Sequence, residues 1–259
     1  MIEPESKIVQ CLNELMGKFI DGKKLSEFEY HRFLKMSEKL STVEDICVTG
    51  MAKALFGKGD EALIFLDDYL GMNDFQLFTV YGTILIYLKK NKRLLDFVLE
   101  HADSFKDDLW YSWLISYYYY MIGDIDNALI KLKRYLQMMT NKEEKSRAEY
   151  AMSHHIEQLA KAYAVKASTP EHYRQSMYLA LSVLDDFGVT YRYVDVRVFP
   201  DQTAACFIEV KSDNPDLVAE MNLCLIKKQI EQGYSIEYDL EPQFTIGRVH
   251  EEGFVHGNN

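Results

Sequence analysis

The feature that most constrains this chain is a turn that recurs together with the residues behind it. Gly57-Lys58-Gly59-Asp60-Glu61-Ala62-Leu63 returns as Gly123-Asp124-Ile125-Asp126-Asn127-Ala128-Leu129. The interval from Ala62 to Ala128 divides into two equal periods of about 33 residues. A middle copy then places its residue at Leu95, after the turn Lys90-Asn91-Lys92-Arg93. Leu66, Leu99 and Leu132 keep the same step, as do the small residues Gly50, Thr83 and Ser116. Tyr69, Ala102 and Tyr135 follow. Two helices per period of about 33 residues mark stacked helical hairpins. Neither helix of such a pair can bury its apolar face alone, so the pairs stack.

This pattern resembles the tetratricopeptide repeat. That family has a small residue at the eighth position of its first helix and alanine at the twentieth position of the unit. Gly50 and Ala62 match in the first unit, and Ser116, Tyr119 and Ala128 match in the third. The resemblance covers about 43–140 and leaves the subfamily open; the family's proline near position 32 and its tryptophan at position four are missing. It implies a mostly α chain built as a solenoid of helical hairpins, with the first helix of each unit lining a concave groove. By register the first unit offers Met51, Ala54 and Leu55, and the middle unit Val80, Ile84, Tyr87 and Leu88. The third unit offers Trp110, Trp113, Tyr117, Tyr120 and Met121, so both tryptophans of the chain fall in the strip. The Lys, Asn and Arg that family members use to clamp a peptide carboxylate are missing from these positions. An aromatic and aliphatic groove suits an apolar or amphipathic segment of another protein. The same strip is ordinary core if the N-terminal helices or the C-terminal layer cover it.

The flanks read differently. Residues 4–20 and 26–40 show helical spacing, with Ile8, Cys11, Leu12, Leu15, Met16 and Phe19 on one stripe. A looser fourth unit spans 144–187, with Ser168-Thr169-Pro170 as a helix start. These segments make a helical domain over 1–187. Beyond Gly188 the period changes to two. Val194, Val196 and Val198 alternate, then Ala204, Cys206, Ile208 and Val210, on either side of Pro200-Asp201-Gln202. A helix from Pro215 to Gln232 follows, then a strand through Tyr234, Ile236, Tyr238 and Leu240, and a fourth over Phe244 to Val249. The order strand, strand, helix, strand predicts a small α+β domain over 188–250, resembling part of a ferredoxin-like unit. A polar tail over 251–259 is expected to be disordered.

Composition narrows the function. The net charge of −11 argues against nucleic acid or an anionic membrane as main partner, since neutralising their phosphates needs clustered Lys and Arg. No run of residues reaches the ~20 apolar positions of a membrane span. Four scattered cysteines, Cys11, Cys47, Cys206 and Cys224, form no close pair for zinc and no dense disulfide framework. The expectation is a cytoplasmic protein with neither metal nor cofactor. Phosphate-cradling, nucleophile-elbow, zincin and calcium-loop motifs are not found. His154 and His155 are neighbours, so on a helix they point about 100° apart and grip one ion poorly. Glu237, Asp239 and Glu241 read as the solvated face of a strand.

The reading that follows is a non-catalytic protein-binding adaptor or chaperone-like assembly factor. It would bind an apolar segment in the groove, with the free edge of the C-terminal sheet as a route to a homodimer. Two alternatives stand beside it. In one, the α+β domain is the active part, with a cleft where Arg192, Tyr238 and Asp239 converge. In the other, the chain is a structural subunit of a larger assembly.

Overall fold

Short polar side chains start the helices. In the computed structural model, which describes residues 6–105, 107–234, 238 and 240–247, the hydroxyl of Ser6 accepts from Val9 N at the head of α1 (Lys7–Ile20). Ser26 and Glu29 close a reciprocal capping box on α2 (Glu27–Met36), and Thr42 and Asp45 do so on α3 (Val43–Leu55). Asp74 caps α5 (Phe75–Tyr87) and Asp108 caps α7 (Leu109–Met121). Between them lie α4 (Gly59–Asp67), a 3-10 turn at Leu70–Met72, and α6 (Asn91–Glu100). The chain continues through α8 (Ile125–Met138), α9 (Lys142–Ala164) and α10 (Pro170–Phe187). It ends in β1 (Tyr191–Val198), β2 (Ala204–Val210), α11 (Pro215–Glu231) and β3 (Pro242–Thr245). The chain is thus mostly helical with a small three-stranded sheet near its C-terminus. It divides into two compact units, Met1–Phe97 and Val98–Asn259.

The hairpin pattern is present locally, but its register differs from the even step. From cap Thr42 to cap Asp74 the interval is one position short of that step, and from Asp74 to Asp108 it is one position long. The second-helix starts Gly59, Asn91 and Ile125 repeat the same short and long intervals. Each first helix closes with the same reversed bond: Lys58 N to Lys53 O, Lys90 N to Leu85 O, and Asp124 N to Tyr119 O, all at 2.9 Å. A one-residue deletion and a one-residue insertion cancel over the two periods, so the outer copies hide the slip. The residues equivalent to Gly50 and Ala62 in the middle copy are therefore Gly82 and Leu94, not Thr83 and Leu95. Packing agrees. A Cβ on Gly50 would lie 2.7 Å from the Leu66 methyls, and one on Gly82 would face Leu94 at 3.8 Å. In the third copy the Ser116 hydroxyl donates to Ala128 O at 2.8 Å. Thr83 instead donates to Thr79 O of its own helix.

In the first unit, α1 and α2 pack on α3. Leu15, Phe33, Met51, Leu55, Leu63 and Leu66 are fully buried there. In the second unit, β1 pairs antiparallel with β2 from Val198↔Ala204 to Tyr191↔Val210. β3 pairs parallel with β2 from Cys206↔Pro242 to Glu209↔Thr245. A parallel neighbour requires a crossover, and α11 supplies it. Val194, Val196, Cys206, Ile208 and Phe244 form a buried face. Tyr173 Oη and Met177 Sδ of α10 lie 3.6 and 3.9 Å from Cys206 Sγ on that face.

The expected order of strand, strand, helix, strand holds, with two corrections. The third strand is Pro242–Thr245, which begins before the span assigned to a fourth and shares only Phe244 and Thr245 with it. Of the segment expected to form the third, Tyr234, Tyr238 and Leu240 lie outside any strand, and residues 235–237 and 239 fall outside the described residues. β3 also sits beside β2 and parallel to it, whereas a ferredoxin-like unit would not place the last strand next to the hairpin in that sense. The tail over 251–259 lies outside the described residues.

Candidate functional site

The ten residues expected to line a groove divide into covered and open. Met51, Leu55, Ile84, Tyr120 and Met121 are buried. Tyr87, Leu88, Trp113 and Tyr117 are partly covered, and Trp110 is 52% exposed. In the first unit the cover comes from the N-terminal helices. The ring of Phe19 on α1 meets Tyr87 edge-on at 4.9 Å, Leu25 N donates to Leu55 O at 3.1 Å, and Tyr30 on α2 stacks on Phe56 at 4.2 Å. In the second unit the cover is the sheet. Half of the ten are therefore core, four more are partly covered, and Trp110 at the start of α7 is the one that is exposed. The signal is readable in sequence: Leu109–Met121 and Phe75–Tyr87 are apolar on nearly all sides, which marks a helix buried all round.

The way the sheet meets the helices has a specific geometry. Every second N–H of β1 points away from β2, and three in a row find acceptors on helices. Val194 N donates to Tyr117 Oη at 2.8 Å, Val196 N to Tyr120 Oη at 3.2 Å, and Val198 N to Gln158 Oε1 at 3.1 Å. Burial pushes both phenols well above their ordinary pKa, so they stay neutral hydroxyls. The opposite edge is closed by one amide. Asn222 of α11 accepts from Phe244 N at 2.8 Å and donates to Phe244 O at 3.0 Å. An unpaired strand edge is what invites another strand. Both edges are capped at these residues, so the sheet-edge homodimer expected above loses its template there.

Two polar clusters look like chemistry and are built as locks. In the first, Glu241 receives Ser176 Oγ at 3.0 Å and Gln229 Nε2 at 2.6 Å on one oxygen, and meets His172 Nε2 with the other. Ser176 Oγ is also 3.4 Å from that same His172 nitrogen. A nucleophile relay needs the acid on the far nitrogen of the histidine. Here the acid and the serine share one nitrogen and Ser176 is fully buried, so the cluster ties α10 and α11 to the start of β3. Tyr238 lies over His172, with ring centroids 4.4 Å apart.

The second cluster sits on the other face of the sheet. Burial raises the pKa of Asp195, but His155 and Arg197 together bring it below the usual value. Arg197 Nε donates to it at 2.6 Å, and His155 Nδ1 is 3.5 Å away. Beside them the buried Glu209 is met by Arg192 at 3.4 Å. Arg192 and Tyr238 thus have separate partners, and Asp239 lies outside the described residues.

The thiols of Cys47 and Cys206 are pushed up to about 12 by burial, which suppresses the reactive thiolate. His154 stacks on Tyr150 while His155 faces Asp195, so the pair diverges as helical spacing requires. Among the described residues no group of three His, Cys, Asp or Glu side chains is placed to hold a metal ion, and no helix is long and apolar enough to cross a membrane.

No protein-family model, curated protein or solved structure matches this chain. The surface itself carries the remaining information. Leu109 and Trp110 are exposed at the capped start of α7, and Trp113 stacks on Tyr117 at 5.9 Å with planes 9° apart. The indole of Trp113 is thereby fixed through Tyr117 to the backbone of β1.

Proposed function

We propose that this chain is a non-catalytic protein-binding factor of the cytoplasm, an adaptor or chaperone-like assembly factor. In this reading its hairpins form a tetratricopeptide-like solenoid whose aromatic strip is closed except at the start of α7. The exposed Trp110, beside Leu109 and a Trp113 held by stacking, carries the reading. Tryptophan is the residue most enriched among binding hot spots, and a fixed side chain loses little entropy on docking. The occupant is an apolar or amphipathic segment of another protein. Basic flanks on that segment would suit a chain of net charge −11 by long-range attraction.

The test is quantitative capture from native cells with wild type, Trp110→Glu and, as a control at another exposed aromatic, Tyr150→Glu. Tyr117 is unsuitable for substitution because its hydroxyl closes the sheet edge. Loss of a partner with Trp110→Glu alone supports the reading. Equal recovery with all three overturns it.

A further inference from the structure

The helix that crosses over the sheet leaves an apolar stripe uncovered. One face of α11 packs inward through Val218, Met221 and Leu225. On the other side Ala219, Leu223, Ile226 and Ile230 follow one another in alternating steps of one helical turn. Leu223, Ile226 and Ile230 are 59%, 51% and 69% exposed. That spacing is the seam of a two-helix coiled coil, where each apolar side chain inserts between those of a partner helix.

Charge on the same helix selects the partner. Asn222, Lys228 and Gln229 are engaged inside the fold, with Phe244, Asp186 and Glu241. Glu220 and Lys227, which flank the stripe on one side, are exposed and form no ion pair among the described residues. When two such helices run antiparallel about a two-fold axis through the stripe centre, Ala219 faces Ile230 of the second copy and Leu223 faces its Ile226. Small then meets large in each outer layer. The same operation sets Glu220 against Lys227 of the second copy, twice. A parallel arrangement would set Lys227 against Asn222 and lose both pairs.

We infer that α11 is a self-association surface, on which a second copy of this chain docks antiparallel through Leu223 and Ile226. The patch is separate from the Trp110 surface, so it can be tested without a partner protein. A four-layer seam is at the small end of specific interfaces, so the dimer is a reversible one of micromolar strength.

The experiment is sedimentation equilibrium of the full chain from about 1 to 200 μM, with circular dichroism as the check on folding. Wild type is expected to shift from monomer to dimer across that range. Ile226→Glu buries like charges at the axis and should weaken the dimer by roughly a hundredfold or more. Glu220→Lys sets lysine against lysine and should weaken it by about tenfold, and adding Lys227→Glu should restore it. Restoration by the second change cannot come from misfolding. A wild type that stays monomeric throughout, or a dimer indifferent to both Ile226→Glu and the charge reversal, overturns the assignment.

Discussion

Removing one oxygen tests how the helices hold the sheet. Tyr120→Phe keeps the ring, its packing and its burial, and deletes only the acceptor for Val196 N. The phenol is fully buried, so no water replaces it. An unsatisfied buried N–H costs about 1–3 kcal/mol, more than the net value of an ordinary hydrogen bond. For a domain of this size each kcal/mol moves the melting temperature by roughly 2–4 °C, so the variant should melt about 3–10 °C lower. Tyr117→Phe removes the acceptor of Val194 N, at a shorter 2.8 Å, and should fall in the same range. Thermal unfolding gives the size, and amide exchange gives the location: the amides of Val194 and Val196 should lose protection well before those of β2. If Tyr120→Phe melts within a degree of wild type and Val196 keeps its protection, the capped-edge account is wrong.

Other perturbations test other joints. Gly50→Ala gains about 1 kcal/mol of helix propensity but drives a methyl to 2.7 Å from a fully buried Leu66, and should destabilise the first unit by about 1–2 kcal/mol net in urea unfolding. A rise in stability would show that α3 and α4 are not in contact there. Asn222→Ala strips both backbone groups of Phe244 of their partner and should cost about 1–3 kcal/mol in the same assay, whereas Asn222→Asp retains only the acceptor for Phe244 N. The carboxyl of Glu29 is lowered to about 2 by its bonds to Lys18 and Ser26, below an ordinary value of 4.5. A depressed acid stabilises above its unfolded pKa and loses that contribution as pH falls through the folded one. Between pH 4.5 and about 2 wild type should lose stability faster than Glu29→Gln; parallel pH profiles would remove Glu29 from the account.

The chain announces its helices better than its register. Gly22, Gly123, Gly188 and Gly233, which follow the ends of α1, α7, α10 and α11, all adopt positive φ, where other residues are strained. The even step misleads because Ala62 and Ala128 average a short interval and a long one. The caps Thr42, Asp74 and Asp108 hold the true spacing, since each marks where a helix starts rather than what packs against it. Tyr117 and Tyr120 look like groove residues because a sequence does not say which element covers a face. Their hydroxyls close a strand from a distant part of the chain, a contact no local pattern encodes. β3 escapes the alternation for a similar reason. It is short, begins with proline, and is held by pairing with β2 and Asn222 rather than by its own pattern.

The central claim is that the start of α7 is where this protein meets another. A photo-crosslinking amino acid in place of Trp110, in native cells, addresses it at the residue concerned, with the same probe at Tyr150 for comparison. The account predicts a discrete crosslinked species from position 110 that does not form from position 150, and that disappears when Leu109→Glu is added. No crosslink at 110, or the same species from both positions, would contradict it.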